Sequence, residues 1–272
     1  MYYYIVDPQK ISQREFERVQ NLLYSSLSEY RVSGEVVRST GLRTINQLVE
    51  NAFFHGAKTI VAVGYDDTLH DVINAIKNRE IVVGFIPIFE TRIGQMLGIM
   101  DIARAAKIIG GRRIEELDLG LVNGNYFLSK LMFGPSINPD GGFGSLFNLK
   151  LIRSLFNLPA FEVKFSVNGQ YQASTKVVSG IITNNHDAKG SAEVLLLPKL
   201  SKSKTFRYRK QILTGDYQEI PEASVIHANK IEVLTPTGLP LRVGSRVIAK
   251  TPAVIEILPK ALKIIVGRDR KV

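Results

Sequence analysis

The sequence predicts an α/β domain with a doubly wound parallel sheet over residues 1–124, followed by an all-β domain of sandwich type over residues 125–272. Three observations predict it. In the first half, short continuous apolar runs alternate with segments whose apolar residues recur at helical spacing, which is the pattern of β-α repetition. In the second half the period falls to two, with turn signals between the runs. At 272 residues, 45% of them hydrophobic and 22% charged, the chain is long enough to bury two cores.

In order, Tyr2–Val6 reads as the first strand, and residues 12–30 as a helix with Phe16, Val19, Leu22, Leu23 and Leu27 on one face. A second strand covers Glu35–Arg38, and Thr40 is the expected cap of a helix that carries Ile45, Leu48, Val49 and Phe53. Lys58–Val63 is an apolar strand, Gly64–Thr68 a polar turn, and the next helix is expected to open on Leu69. Ile81–Ile86 is a fourth strand closed by Pro87, and a helical stretch runs on to about Ile109. Ligands of such sheets lie beyond the carboxyl ends of the strands, where Asp7, Gly64 and Phe89 fall.

After a Gly/Pro/Asn/Asp loop at residues 134–145 and a helix at residues 146–157, FEVKFSVNGQYQAS alternates about Asn168-Gly169, a strong hairpin signal. Further strands are expected at Lys176–Thr183, Glu193–Pro198, Ser224–Leu234 and Ala253–Leu258, and the last strand of the chain is free to pack back toward the first domain. Phe206, Arg207, Tyr208, Arg209 and Lys210 form a basic-aromatic stretch that strand alternation explains without nucleic acid.

With no cysteine, the chain has no disulfide, no thiolate chemistry and no Cys-based zinc site. His70 falls in the first helical turn and is expected to be exposed, while His55, His186 and His227 lie apart without ligand spacing, which argues against a histidine metal cluster. The start, MYYYIVDP, has no basic leader and 18 consecutive apolar residues occur nowhere, so a cytoplasmic protein without a transmembrane segment is expected. Its net charge of +10 is uneven. Residues 1–125 hold 14 Lys+Arg and 15 Asp+Glu, whereas residues 126–272 hold 21 and 10. The basic C-terminal half makes an anionic membrane lipid surface a candidate partner, with peripheral attachment, and homodimerisation is compatible with the same reading.

The segment KTIVAVGYDDTLHDVINAI, residues 58–76, resembles the signature of the diacylglycerol kinase catalytic domain, the fold shared by diacylglycerol, sphingosine-type and bacterial YegS-like lipid kinases and more distantly by NAD kinases. There the turn reads Gly-Gly-Asp-Gly-Thr; here it is Gly64, Tyr65, Asp66, Asp67, Thr68, followed by Leu69, His70, Asp71 and Val72. Asp7-Pro8 stands for the family's Asn-Pro, while Leu97-Gly98-Ile99, Asp118-Leu119-Gly120, Val122-Asn123-Gly124 and the closing Pro259-Lys260-Ala261-Leu262 keep its order. The resemblance implies the two-domain fold and ATP-dependent phosphorylation of a lipid hydroxyl. It also implies a nucleotide site at Gly64, Asp66, Asp67, Thr68, Leu69 and His70, and Mg²⁺ on Asp66.

The departures bear on that activity. A carboxylate at Asp67 about 4 Å from a phosphate charge repels it by ~4 kcal/mol at an effective dielectric of about 20. If the backbone keeps the family's turn, Tyr65 and Asp67 sit at positive φ, where glycine would relieve strain. The acidic segments that the resembled family has in its second domain correspond to Lys189-Gly190-Ser191-Ala192-Glu193 and to Val243-Gly244-Ser245, which offers no general base, so no catalytic residue is assigned. Two functions remain: a lipid kinase, and a catalytically inactive relative that binds a lipid surface, a nucleotide or a protein. NAD kinase activity is a weaker third.

Overall fold

The computed structural model describes residues 1–272 except 10, 135–148, 170, 186–189, 236 and 272. The chain divides into two compact units, residues 1–117 with 260–272, and residues 118–259.

The first unit is built on β1 (Tyr2–Val6), α1 (Gln13–Glu29), β2 (Gly34–Arg38), α2 (Ile45–Phe54), β3 (Thr59–Gly64), α3 (Asp66–Ile76), β4 (Val82–Pro87), α4 (Arg92–Met96) and α5 (Ile102–Gly111). The strands pair in parallel in the order β2-β1-β3-β4. Their continuous apolar composition follows from burial on both faces: every residue of β3 is buried, as are Tyr3 to Val6 of β1. Right-handed crossovers put α1 on one face and α2 and α3 on the other, and α1 packs with α5, α2 with α3. Lys263 and Ile264, near the end of the chain, pair in parallel with Val82 and Val83 of β4.

Capping boxes set the helix starts. Ser12 and Glu15 open α1, and Thr44 with Gln47 opens α2. The cap of α2 is therefore Thr44 rather than Thr40, which forms a tight bridge with Arg43; Gln47 stands three residues after Thr44, where it returns the hydrogen bond. The single helical stretch expected after β4 is two helices, interrupted around Gly98 at φ 73°.

The second unit is antiparallel. It contains part of β5 (Ile114–Val122), then β6 (Asn125–Phe127), β7 (Lys130–Phe133), α6 (Leu149–Phe156), β8 (Phe161–Val167), β9 (Tyr171–Val177), β10 (Ser179–Asn185), β11 (Ser191–Leu197), α7 (Lys202–Arg207), α8 (Arg209–Thr214), β12 (Ser224–Ala228), β13 (Lys230–Thr235), β14 (Pro240–Val243), β15 (Arg246–Lys250) and the start of β16 (Ala253–Ile265). One sheet runs β12-β11-β10-β7-β14-β15; β16, β13, β8 and β9 form the other layer. Period two explains both cores. Ile182, Val194 and Leu196 face Phe165, Val233 and Ile255 between the sheets, while Ile181, Leu195 and Leu197 face α6, α8 and Tyr217. Asn168 and Gly169 make the β8–β9 turn with φ 51° and 68°.

Three expectations need correction here. Lys176–Thr183 is divided between β9 and β10, and Ser224–Leu234 between β12 and β13. Phe206–Lys210 is helical, because Ser201 caps α7 by accepting the Lys204 N–H, and Arg209 stacks on Phe206 one turn earlier, 4.6 Å from its ring centre. The expected loop at residues 134–145, the start of the helix at residues 146–157, His186 and Lys189 lie outside the described residues, Gly134 apart. Among the described residues no helix is long and apolar enough to cross a membrane.

Candidate functional site

The carboxyl ends of β1 and β3 are held together by one buried carboxylate. The Asp7 N–H donates to the Val63 carbonyl at 2.9 Å, and its Oδ1 accepts from the Ser39 hydroxyl at 2.9 Å and the Gln9 N–H at 3.3 Å. Its Oδ2 accepts from the Thr68 hydroxyl at 3.1 Å. Thr68 in turn accepts the Tyr65 N–H at 3.1 Å, so one side chain links α3 to both strand ends. Gly64 is needed for that: a Cβ there would lie 2.3 Å from the Thr68 Oγ1. The space above this glycine is filled by the chain's own threonine.

This is where the turn departs from the expectation. Tyr65 is extended, at φ −103°, and α3 opens at Asp66 rather than Leu69. Neither Tyr65 nor Asp67 has positive φ, so glycine would relieve no strain at either. Two forces account for it: the Thr68 hydroxyl satisfies the Tyr65 N–H, and Asp67 puts negative charge in the first turn, which the helix dipole favours. A third N-terminal feature is a ring pair, Tyr65 with Phe89, whose centroids are 6.0 Å apart and planes 33° apart. Phe89, beyond β4, is half exposed.

Asp66 reaches across to the segment after β4. Its Oδ2 accepts the Ile93 N–H at 3.3 Å, while its Oδ1 is buried with no hydrogen-bond partner among the described residues. Burial raises the pKa of this carboxyl, aided by the Asp67 charge, while the Thr91 hydroxyl, the Ile93 N–H and Arg92 pull it down.

The sequence-predicted residues therefore separate into groups. Gly64 and Thr68 join Asp7; Asp66 meets the Thr91–Ile93 segment; Asp67 stays in the first turn. Leu69 and His70 are buried along α3, His70 only 5% exposed with its Nδ1 3.1 Å from Asn74 Nδ2, so this histidine is not the exposed residue that its place in an early helical turn would give. His55 pairs with Glu35 at 2.8 Å. Sequence reasoning missed Ser39 and Thr91; a hydroxyl just past each strand end was the available signal. Among the described residues no group of three or more His, Asp or Glu side chains is placed to hold a metal ion.

In the second unit, Asp118 is buried and accepts the Gly190 N–H at 2.7 Å, while Asn184 donates to its carbonyl at 2.6 Å. Val243-Gly244-Ser245 is the β14–β15 turn, with Gly244 at φ 59°.

Residues 2–122 match the family described as "Diacylglycerol kinase catalytic domain". Over this segment the chain resembles the diacylglycerol kinase catalytic domain. The fold agrees. The crystal structure of a diacylglycerol kinase from Bacillus anthracis str. Sterne superposes with a TM-score of 0.76 at 17% identity, covering 98% of this chain and 97% of that one. An NAD kinase from Archaeoglobus fulgidus, solved in complex with ATP, gives 0.56 at 13% identity, covering 99% and 95%. No curated protein matches the chain. The α/β unit and the antiparallel unit after it thus have the fold of diacylglycerol kinase-like structures.

Proposed function

We propose that this lipid kinase-like protein has kept the family's scaffold and lost ATP-dependent phosphoryl transfer. The observation that carries the proposal is the opening of α3: the place where a helix N-terminus would receive a phosphate already holds two carboxylates of the chain itself, Asp66 and Asp67. The residues do not fit a triphosphate with Mg²⁺ there. The space over Gly64 is taken by Thr68, Tyr65 and Phe89 put rings beside the turn, and among the described residues no group of three His, Asp or Glu is placed to hold the metal. Val243 and Ser245 supply no base for a lipid hydroxyl. The test is phosphate transfer from ATP–Mg²⁺ to diacylglycerol in mixed micelles, with no product expected above background; turnover would overturn the proposal.

One observation favours the second reading, an active lipid kinase. The buried Asp66 Oδ1 without a partner is an atom that a cation would satisfy, with ATP at Gly64 to His70. The transfer assay separates the two readings.

For an inactive relative the role is binding, at a peripheral cytoplasmic site on an anionic lipid surface. What supports this partner is the stretch 199–210, in which Lys199, Lys202, Lys204, Arg207, Arg209 and Lys210 occur without an acid, with Phe206 half exposed among them. Sedimentation with phosphatidylglycerol vesicles should be strong at low salt and weak at high salt, at about 1 kcal/mol per Lys or Arg near the surface. Equal sedimentation with neutral vesicles would reject it.

A further inference from the structure

The α/β unit carries a concave feature apart from the β3–α3 turn. It is a cleft of about 1040 Å³ between the 95–113 segment and the terminal residues 266–271. Its wall is a packed tail. The Gly267 N–H donates to the Leu97 carbonyl and the Lys271 N–H to the Met96 carbonyl, both at 2.8 Å. Backbones approach so closely that a Cβ on Gly267 would lie 2.3 Å from the Gly98 oxygen, and one on Gly98, itself at φ 73°, 2.8 Å from the Arg270 nitrogen. Only glycine fits both places.

The tail that walls this cleft carries the charge excess of the unit, and its Arg268 and Lys271 line the cleft. Residues 1–117 hold 14 Lys+Arg and 14 Asp+Glu, whereas residues 260–272 hold 5 and 1, so the tail supplies the whole excess. Arg104 and Arg113 line the cleft and are paired, with Asp101 at 3.5 Å and Glu115 at 3.2 Å. Lys107, Arg268 and Lys271 line it with no ion pair among the described residues, against the single acid Asp269. The lining also includes Met100, Ile108 and Val266, and Met100 is 40% exposed.

We propose that this cleft binds an organic phosphate: Lys107, Arg268 and Lys271 hold the phosphate, and the apolar part of the ligand lies on Met100, Ile108 and Val266. Unpaired cations in a concavity favour an anion with several acceptor oxygens, and a phosphate accepts from all three at once. Inorganic phosphate would use the cations and leave the apolar lining in water, so a ligand with both parts gains from both. The site is independent of phosphoryl transfer and shares no residue with the β3–α3 turn.

The test uses the full chain labelled with [¹³C-methyl]methionine, which places probes at Met1, Met96, Met100 and Met132. Octyl phosphate, titrated as a monomer, is expected to shift the Met100 signal and leave Met132 in the second unit unmoved. Inorganic phosphate and octyl glucoside should each need at least about ten-fold higher concentration. The Arg268→Glu/Lys271→Glu pair, at exposed side chains, should weaken octyl phosphate by about ten-fold or more with Tm unchanged. Lys107→Gln gives a smaller loss and serves if the pair fails to fold. Equal binding of inorganic and octyl phosphate, an unmoved Met100, or unchanged affinity in the charge variants would each overturn the proposal. So would tighter binding of a duplex oligonucleotide that the same substitutions abolish.

Discussion

Two turns of the molecule carry residue patterns with known geometry, and they behave in opposite ways. At the β8–β9 hairpin, Asn168-Gly169 adopts the paired positive φ values that those residues favour, 51° and 68°, and Asn168 Oδ1 accepts the Asn229 and Lys230 N–H groups at 3.1 Å each. At the β3–α3 junction Tyr65 and Asp67 stand where the resembled signature has glycine, and the helix starts at once, with acids in its first turn and the Tyr65 N–H on Thr68. A turn keeps its geometry only while it keeps the residues that make it cheap. Where they are absent, helix capping and dipole electrostatics decide the conformation.

The hairpin side of this comparison breaks most visibly. Asn168→Val with Gly169→Val should lower stability by about 3 kcal/mol in urea unfolding, from two strained positions and two lost hydrogen bonds. A cost below about 1 kcal/mol would mean that sheet packing, not turn chemistry, sets the hairpin. At the junction, Thr68→Val removes the hydroxyl between the Tyr65 N–H and Asp7 and should cost about 2 kcal/mol, with Thr68→Ser recovering most of it. Tyr65→Gly with Asp67→Gly should lower stability by about 1–2 kcal/mol, since both residues are in ordinary extended or helical backbone and gain only unfolded-state entropy. A rise would show that the backbone is strained there after all.

The smallest effect is the most specific. Folding raises the pKa of Asp66, so this group's contribution is most favourable at low pH and is lost as pH rises through the folded-state pKa. Asp66→Asn, which cannot ionise and still accepts the Ile93 N–H, should match the parent near about pH 3 and be more stable than it at about pH 7. A parent that is the more stable at neutral pH would place a favourable partner at Asp66.

The scaffold was legible in the sequence because Tyr2–Val6, the third strand and Ile81–Ile86 are apolar without interruption, and buried parallel strands require that. The site was legible only in part. Asp66 and Thr68 stand out by type, but nothing local says that Thr68 fills the space over Gly64 or that His70 turns inward. The α7 and α8 helices were missed because a five-residue stretch such as Phe206–Lys210 fits period two and period 3.6 alike, although Ser201 was a readable cap. The basic cleft was invisible for a different reason: Lys107 and Lys271 are brought to one cavity by the packing of the tail, which no sequence pattern announces.

The central claim, that α3 opens on the chain's own carboxylates in place of a bound phosphate, is tested most directly by thermal unfolding of the unaltered chain with ATP–Mg²⁺. At 100 times its dissociation constant a ligand adds about 2.7 kcal/mol, a shift that such a scan resolves easily. The predicted result is an unchanged Tm up to millimolar ATP–Mg²⁺. A saturable rise in Tm that Asp66→Asn abolishes would contradict the account and make Asp66 a working ligand.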